Sequence, residues 1–272
     1  MKNILIIIFG NLISILHPLT MDAFSHLSPY SYCGGDPVNC KDPTGCVIEG
    51  VTKKDAAMAV EDFRTMFPGD EFANFRNLIV QSGKKQNGES FAAISADALS
   101  SAFSGITLNE DQQALVDMVV NTINSNDIHK VEYTTPGSDM SQSSLKVYSP
   151  ILNSLGITSE MAANVQGGYS KFVMALCGEA STVPTQIGSL TTILKTPDAF
   201  VTNRPATLGH EIIGHGRSFR LGYRDAQSQH IIPIQVENLI SRNMGIPLFR
   251  NGTDHAPLYS IIPNYTALPN FR

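Results

Sequence analysis

Apolar residues recur at three- and four-residue steps in two segments of the first half of the chain, a spacing typical of amphipathic helices. The first segment begins at Thr52, a favourable N-cap residue, and ends at Pro68-Gly69. The second spans residues 109–127, and residues 71–83 between them fit either a short helix or a strand. The apolar positions on the two faces are Ala56, Val60, Phe63 and Phe67, and then Leu115, Met118, Val119 and Ile123. We therefore predict a helical N-terminal part.

The pattern changes between residues 128 and 200, where short runs of β-forming residues are separated by Gly, Pro and Ser. These runs are residues 129–135, 144–149, 171–177, 191–195 and 198–202. They predict a small central sheet, antiparallel or mixed. The helical pattern then returns in residues 207–218 and 232–243, with Pro233 in the first turn of the latter. This order of elements indicates an α+β fold over residues 47–272.

The composition is that of a folded globular protein. Of the 272 residues, 42% are hydrophobic and 16% are charged, which allows a sizeable core. The formal net charge is -5 and no basic stripe stands out that would neutralise phosphates, so we expect no nucleic-acid partner. The four cysteines form no CxxC pair, which argues against a structural zinc knuckle.

The first 23 residues form a hydrophobic leader. Lys2 is followed by an apolar run from Ile4 to Leu16, as in a secretory signal, but no small-x-small cleavage site follows. A signal segment and a start region upstream of Met21 that is no part of the functional protein both fit these residues. The run is short for a transmembrane helix, and no other segment of the sequence could cross a membrane. The signal interpretation predicts a secreted or exported protein.

Residues 24–46 are dense in Pro, Gly and Asp, which predicts turns and no regular element. Their motif resembles the segment that closes the YD-repeat core of bacterial Rhs proteins, after which a variable C-terminal tip begins. The matching residues are Ser28-Pro29-Tyr30, Tyr32, Asp36-Pro37 and Asp42-Pro43 followed by Gly45. The resemblance implies that residues 47–272 are a toxin tip with a cognate immunity protein as partner. The repeat shell of that family does not precede the motif in this sequence, so an orphan tip, a displaced cassette and a small protein that reuses the junction all stay open.

Two histidines and a glutamate in residues 207–218 carry the candidate chemistry. In a His-Glu-x-x-His motif the histidines are four residues apart, share one face of an α-helix and reach one metal ion. Here His210 and His215 are five apart, which separates their side chains by about 140° on an ideal α-helix. A one-residue widening of π type would bring them together. Gly214 is best able to accept this distortion, and Gly216 adds freedom on the other side.

The pattern His-Glu-x-x-Gly-His resembles zinc peptidases of the dipeptidyl peptidase III family and, more loosely, those of the TldD type. In those families the two histidines are zinc ligands and the glutamate is the general base. The resemblance implies these roles for His210, His215 and Glu211. In the former family a downstream glutamate on a second helix completes the site. The likeness covers this motif alone, so it implies a zinc site and zincin-like C-terminal helices and not a whole fold.

A catalytic zinc site needs a third protein ligand. Glu237 lies 22 residues after His215, inside the second C-terminal helix, a spacing that resembles that of glutamate zincins, whose ligand lies on the next helix. Its apolar neighbours mean that the carboxylate needs a partner, which a metal or Arg242 would supply. The competing candidates for the third position are His230, Asp225 and the Asp254-His255 pair.

Together these residues predict a zinc metallopeptidase, or a related zinc hydrolase, that acts on a peptide or protein. Glu211 would take the proton of the attacking water and pass it to the leaving amine. A toxin tip with non-proteolytic chemistry and a non-enzymatic exported interaction protein stay open as alternatives. In the last of these, Glu211 and His215 form an ordinary pair four residues apart and His210 caps the preceding turn. Three further polar residues are either oxyanion donors or ordinary surface residues: Arg220, Tyr223 and Arg224.

Overall fold

The computed structural model divides the chain into two units, Met1–Gly45 and Cys46–Arg272. It describes residues 48–82, 90–134, 140–165, 168, 172, 180–194, 204–247, 249–252 and 264–271. The predicted leader of residues 1–23 and the predicted Rhs-like junction of residues 24–46 lie outside the described residues. Within the described ranges, no helix is both long enough and apolar enough to span a membrane.

The fold is mixed α+β, as predicted. Its strands are β1 (Ile48–Gly50), β2 (Ile128–Thr134), β3 (Ala180–Thr185) and β4 (Gly188–Leu194). Its α-helices are α1 (Lys53–Thr65), α2 (Ala73–Leu78), α3 (Ala96–Ala102), α4 (Glu110–Ile123), α5 (Gln142–Ser154), α6 (Ser159–Ala163), α7 (Arg204–Gly209), α8 (Ser218–Arg220) and α9 (Ser228–Asn243). A short 3-10 helix spans Asp70–Phe72, and a π-helix spans His210–Arg217 between α7 and α8.

The sheet is mixed, with strand order β1-β2-β4-β3. Strand β2 runs parallel to both β1 and β4, and β3 pairs with β4 as an antiparallel hairpin. The predicted runs 129–135 and 191–195 correspond to β2 and β4. The order leaves β3 at the end of the sheet, where it lies against the π-helix.

The prediction of a β-run at residues 144–149 is wrong, because this segment lies in helix α5. The Ser141 side chain accepts the backbone N–H of Ser144 and starts the helix. Tyr148 and Leu152, four residues apart, are both buried against Leu190 of β4. Tertiary packing of this face therefore overrides the β-propensity of the run. Apart from residue 172, the runs 171–177 and 198–202 lie outside the described residues.

The two amphipathic helices are confirmed as α1 and α4. Thr52 caps α1 in a reciprocal capping box with Asp55, and the predicted apolar faces of both helices are buried. Residues 71–83, for which helix and strand stayed open, form mainly the end of the 3-10 helix and helix α2. Leu208 of α7 and Ile212 of the π-helix belong to the same core cluster as these faces. The core therefore fixes the helix that carries the candidate site.

Candidate metal centre

The predicted helix distortion is confirmed. The chain is π-helical from His210 to Arg217 and continues α-helical on both sides, from Arg204 to Gly209 and from Ser218 to Arg220. A widened turn aligns residues five apart, which an α-helix does not. The ring centroids of His210 and His215 are accordingly 5.0 Å apart. The five-residue spacing is thus compatible with one shared site.

The two glycines of the motif serve close packing. Both lie in the π-helix and neither has a positive φ. A Cβ on Gly214 would lie 2.5 Å from Cα of Pro233 in α9, and a Cβ on Gly216 would lie 2.6 Å from Oγ of Ser189 in β4. The glycines therefore have a role that the sequence did not reveal: they let the π-helix approach α9 on one side and the sheet on the other.

His210, Glu211 and His215 form a group that could hold a metal ion. One ligand atom from each of the three lies within 4.8 Å of the others. His210 and Glu211 are buried, with 4% and 7% of their surface exposed, and His215 is half-buried. Oε2 of Glu211 is buried and has no hydrogen-bond partner among the described residues. Burying a carboxylate oxygen without a partner is costly, so these residues fit a cation with a water molecule beside Glu211.

The protonation of His215 also suits a ligand. Burial lowers the pKa of His215, and the nearby His210 and His230 lower it further. Glu211 and the hydrogen bond to the Gln229 side chain act in the opposite direction, but the net pKa stays below the ordinary value. The imidazole is therefore neutral at pH 7, as metal coordination requires.

Each histidine is held at Nδ1 by a side chain of helix α9. Nδ1 of His210 is 2.9 Å from Oε2 of Glu237, and Nδ1 of His215 is 3.0 Å from Oε1 of Gln229. Metal-binding histidines usually donate their second ring N–H to a carboxylate or carbonyl in this way. Sequence reasoning did not identify Gln229, because nothing in the chain shows which helix packs beside His215.

Helix α9 places Glu237 beside the group, with its carboxylate in contact with His210. Glu237 is not one of the three residues whose ligand atoms converge, and its role as third metal ligand stays a prediction. Burial would raise the pKa of Glu237, but the hydrogen bonds and charges of His210 and Arg250 together lower it below its usual value. Glu237 is therefore ionised at neutral pH.

The cation beside Glu237 is not Arg242, which forms two bonds with the carboxylate of Asp111. Arg250 takes that place, with Nη1 2.7 Å from Oε2 of Glu237. Asn238 holds the backbone of Arg250 by accepting its N–H and donating to its carbonyl. Arg250 was missed because it lies in a loop beyond the helix, and only the fold returns this loop to Glu237.

Of the other candidate ligands, the two that the structure describes, Asp225 and His230, are not in the group. Asp225 is exposed and accepts the N–H of Ser228, so it caps the start of α9. His230 is buried beside Gly252, and Asp254 and His255 lie outside the described residues. Helix α9 begins at Ser228, so the prediction of Pro233 in its first turn is wrong: Pro233 is the sixth residue of the helix.

We expected three residues to be either oxyanion donors or surface residues: Arg220, Tyr223 and Arg224. The side chains of Arg220 and Arg224 contact other parts of the fold. Arg220 pairs with Asp127 and donates to the carbonyl of Gln186. The guanidinium of Arg224 lies over the ring of Phe219. The carbonyl of Tyr223 accepts from Gln229, so this residue supports the site through its backbone.

Comparison of the chain with family models, with curated proteins and with solved structures finds no match.

Proposed function

We propose that the protein is a zinc-dependent hydrolase that cleaves peptide bonds, with His210 and His215 as metal ligands and Glu211 as general base. One observation carries this proposal: the three side chains converge on a π-helix while Oε2 of Glu211 is buried without a described partner. A structural role for the histidines would leave that oxygen without an explanation. Imidazole and carboxylate donors are a set that zinc prefers.

The chemistry follows from the residue types. Bound zinc would act as a Lewis acid on the scissile carbonyl and would make a neighbouring water more acidic. Glu211 takes the proton of the attacking water and delivers it to the leaving amine. The buried setting of Glu211 keeps bulk water away from this transfer. The carboxylate of Glu237 is bonded to Nδ1 of His210, on the opposite side of the ring from Nε2. Glu237 could therefore be the third ligand only if His210 also bound the metal through Nδ1.

The position of β3 supports a peptide as the substrate. This strand ends the sheet beside the π-helix, and within the described ranges no strand pairs with its outer edge. Thr182 of β3 donates from Oγ1 to the backbone carbonyl of Glu211 at 3.3 Å. An extended peptide can add to such an edge through main-chain hydrogen bonds. The scissile bond would then lie close to the proposed base.

The zinc content of the purified protein tests the metal site. We expect about one zinc per chain in the wild type, bound at the single proposed site, and none in His215→Ala, measured by elemental mass spectrometry. Asp225→Asn is the matched control: it changes a competing ligand, keeps the capping oxygen of α9 and should retain zinc. A wild type that binds no zinc after reconstitution would refute the proposal.

The resemblance of residues 24–46 to an Rhs junction supports one cellular context, an exported toxin tip with an immunity protein as partner. Expression of residues 47–272 in bacterial cytoplasm and periplasm tests it. We expect growth inhibition by the wild type in one compartment and no inhibition by Glu211→Gln. Equal inhibition by both would mean that toxicity, if present, does not come from the proposed chemistry.

A further inference from the structure

The π-helix and helix α9 are antiparallel, and three of their contacts fall in a regular register. From one contact to the next, the position moves four residues forward along the π-helix and α8. Along α9 it moves four residues back. The matched pairs are His210 with Glu237, Gly214 with Pro233, and Ser218 with Gln229. The two polar pairs therefore flank a central contact in which glycine allows the helices to touch. This register places the amide of Gln229 beside His215 and the carboxylate of Glu237 beside His210.

The hydrogen bonds of Gln229 determine which way its amide points. Its Nε2 donates to the backbone carbonyl of Tyr223, which can only accept, and to Oγ of Ser218 at 2.9 Å. Its Oε1 therefore faces Nδ1 of His215, at 3.0 Å. An amide oxygen can only accept, so Nδ1 of His215 must carry the hydrogen.

The hydrogen bonds of Ser218 agree with this orientation of the Gln229 amide. Its hydroxyl donates to the carbonyl of Gly214, one turn earlier in the helix. The Ser218 oxygen is therefore the acceptor in its bond with Gln229, and the amide cannot be turned over without placing two acceptors together. The helix that carries His215 thus also holds the residue that orients its partner.

The same argument applies to His210. Oε2 of Glu237 accepts from Nη1 of Arg250 at 2.7 Å and lies 2.9 Å from Nδ1 of His210. A carboxylate paired with an arginine is ionised and has only acceptors. Nδ1 of His210 must therefore be the donor.

We propose that helix α9 fixes both histidines as the Nδ1–H form, so that each binds the metal through Nε2. Gln229 and Glu237 are then positioning residues, and Glu237 is not the third ligand. The metal part of this inference rests on the proposed function. The hydrogen positions do not, because they follow from hydrogen bonds among protein groups alone.

Nitrogen-15 NMR of the metal-free protein tests the hydrogen positions directly. Two-bond correlations between ring protons and ring nitrogens distinguish a protonated Nδ1 from a protonated Nε2. The spectrum is recorded at pH 8, above the usual titration range of histidine, which centres at about 6.5. His210→Gln and His215→Gln assign the two signals. We expect the Nδ1–H form for both residues, and an Nε2–H form for either one in the wild type would overturn the proposal.

Variants of Gln229 distinguish a role in orienting His215 from a general role in stabilising the fold. Gln229→Leu removes the acceptor, and we expect His215 to lose its single form and zinc affinity to fall roughly 10- to 100-fold. Gln229→Glu keeps an acceptor and should retain both the Nδ1–H signal and most of the affinity. Gln235→Leu makes the same exchange on another side of α9 and should change neither. An unchanged His215 signal in Gln229→Leu would contradict the assigned role.

Glu237→Gln makes the parallel test at His210. Its amide oxygen can still accept from Nδ1, so we expect zinc affinity within about 10-fold of the wild type, the mild end of losses from such partners. A ligand role predicts loss of stoichiometric zinc instead, which would overturn this part of the proposal. A wild type with two Nδ1–H histidines that never binds zinc would refute the proposed function, while the assignment of the two hydrogens would stand.

Discussion

Gly214 of the π-helix and Pro233 of helix α9 are packed so closely that no side chain fits between them. A Cβ on Gly214 would lie 2.5 Å from Cα of Pro233, a backbone atom that cannot turn away. This contact lies midway between the two polar contacts that hold His210 and His215. The contact between Gly214 and Pro233 sets the distance between the two helices. That distance determines whether Gln229 and Glu237 can reach the histidine rings.

Gly214→Ala should therefore separate the two helices. We expect the free energy of unfolding to fall by about 1–3 kcal/mol, the usual cost of overpacking, and zinc affinity to fall with it. Gly209→Ala is the matched control one turn earlier, because its Cβ would meet the flexible side chains of Ile240 and Met66 and no backbone atom of α9. Urea denaturation and zinc titration measure the two effects. Equal losses in both variants would show that the Pro233 contact does not set the spacing.

Glu211→Gln should keep the metal and lose turnover. The amide cannot accept the proton of the attacking water, whereas the two histidines stay in place. We expect peptide cleavage to fall by a factor of about 100 to 10,000 with zinc content unchanged. Parallel zinc analysis and cleavage assays check this, and loss of the metal would show that Glu211 is a ligand and not the base.

His129 should make folding stability depend on pH. Burial lowers the pKa of His129 from 6.5 to about 4, so the folded protein resists protonation that the unfolded chain accepts. The stability is fully present above pH 6.5 and is lost as the pH falls toward 4, by up to about 3 kcal/mol. Urea unfolding of metal-free wild type and His129→Gln at pH 7.5 and 5 measures this. The variant should show a smaller loss between the two pH values, and identical losses would rule out His129 as the cause.

Tyr133→Phe should destabilise the connection between the sheet and helix α1. The Tyr133 hydroxyl donates to Asp62 at 2.7 Å, and Asp62 is buried and also held by Arg204 at the start of α7. Loss of a buried hydrogen bond to a charged group costs about 2 kcal/mol. In contrast, Tyr148→Phe removes a 3.2 Å bond to a neutral carbonyl and should cost less. Thermal and urea unfolding of both variants compare the two.

Local patterns predicted the elements whose cause is local. Thr52 and the apolar steps of α1 are sufficient for a helix, because the cap and the buried face both lie within one segment. The π-helix was predictable for the same reason, since two ligands five residues apart can share a metal only on a widened turn. Residues 144–149 were misassigned because their burial depends on β4, which is distant in the sequence.

The candidate site likewise contains residues that the local sequence predicted and residues that only the fold reveals. His210, Glu211 and His215 lie within six residues and were found from their spacing. A metal ion and Arg242 were the two expected partners of Glu237, but Arg242 pairs with Asp111 on α4, and Arg250 reaches Glu237 from a loop. Gln229 carried no signal before the pairing of the helices was known. Its spacing of four residues from Pro233 and eight from Glu237 gains meaning only beside Ser218, Gly214 and His210.

The arrangement on α9 also sets the order in which the site can mature. Both histidines precede the acceptors that hold them, by 14 residues for His215 and 27 for His210. A nascent chain that has been synthesised only as far as the π-helix contains both rings and neither acceptor. On the proposed function, full affinity for a metal would therefore be reached only when α9 docks and places both acceptors against the rings.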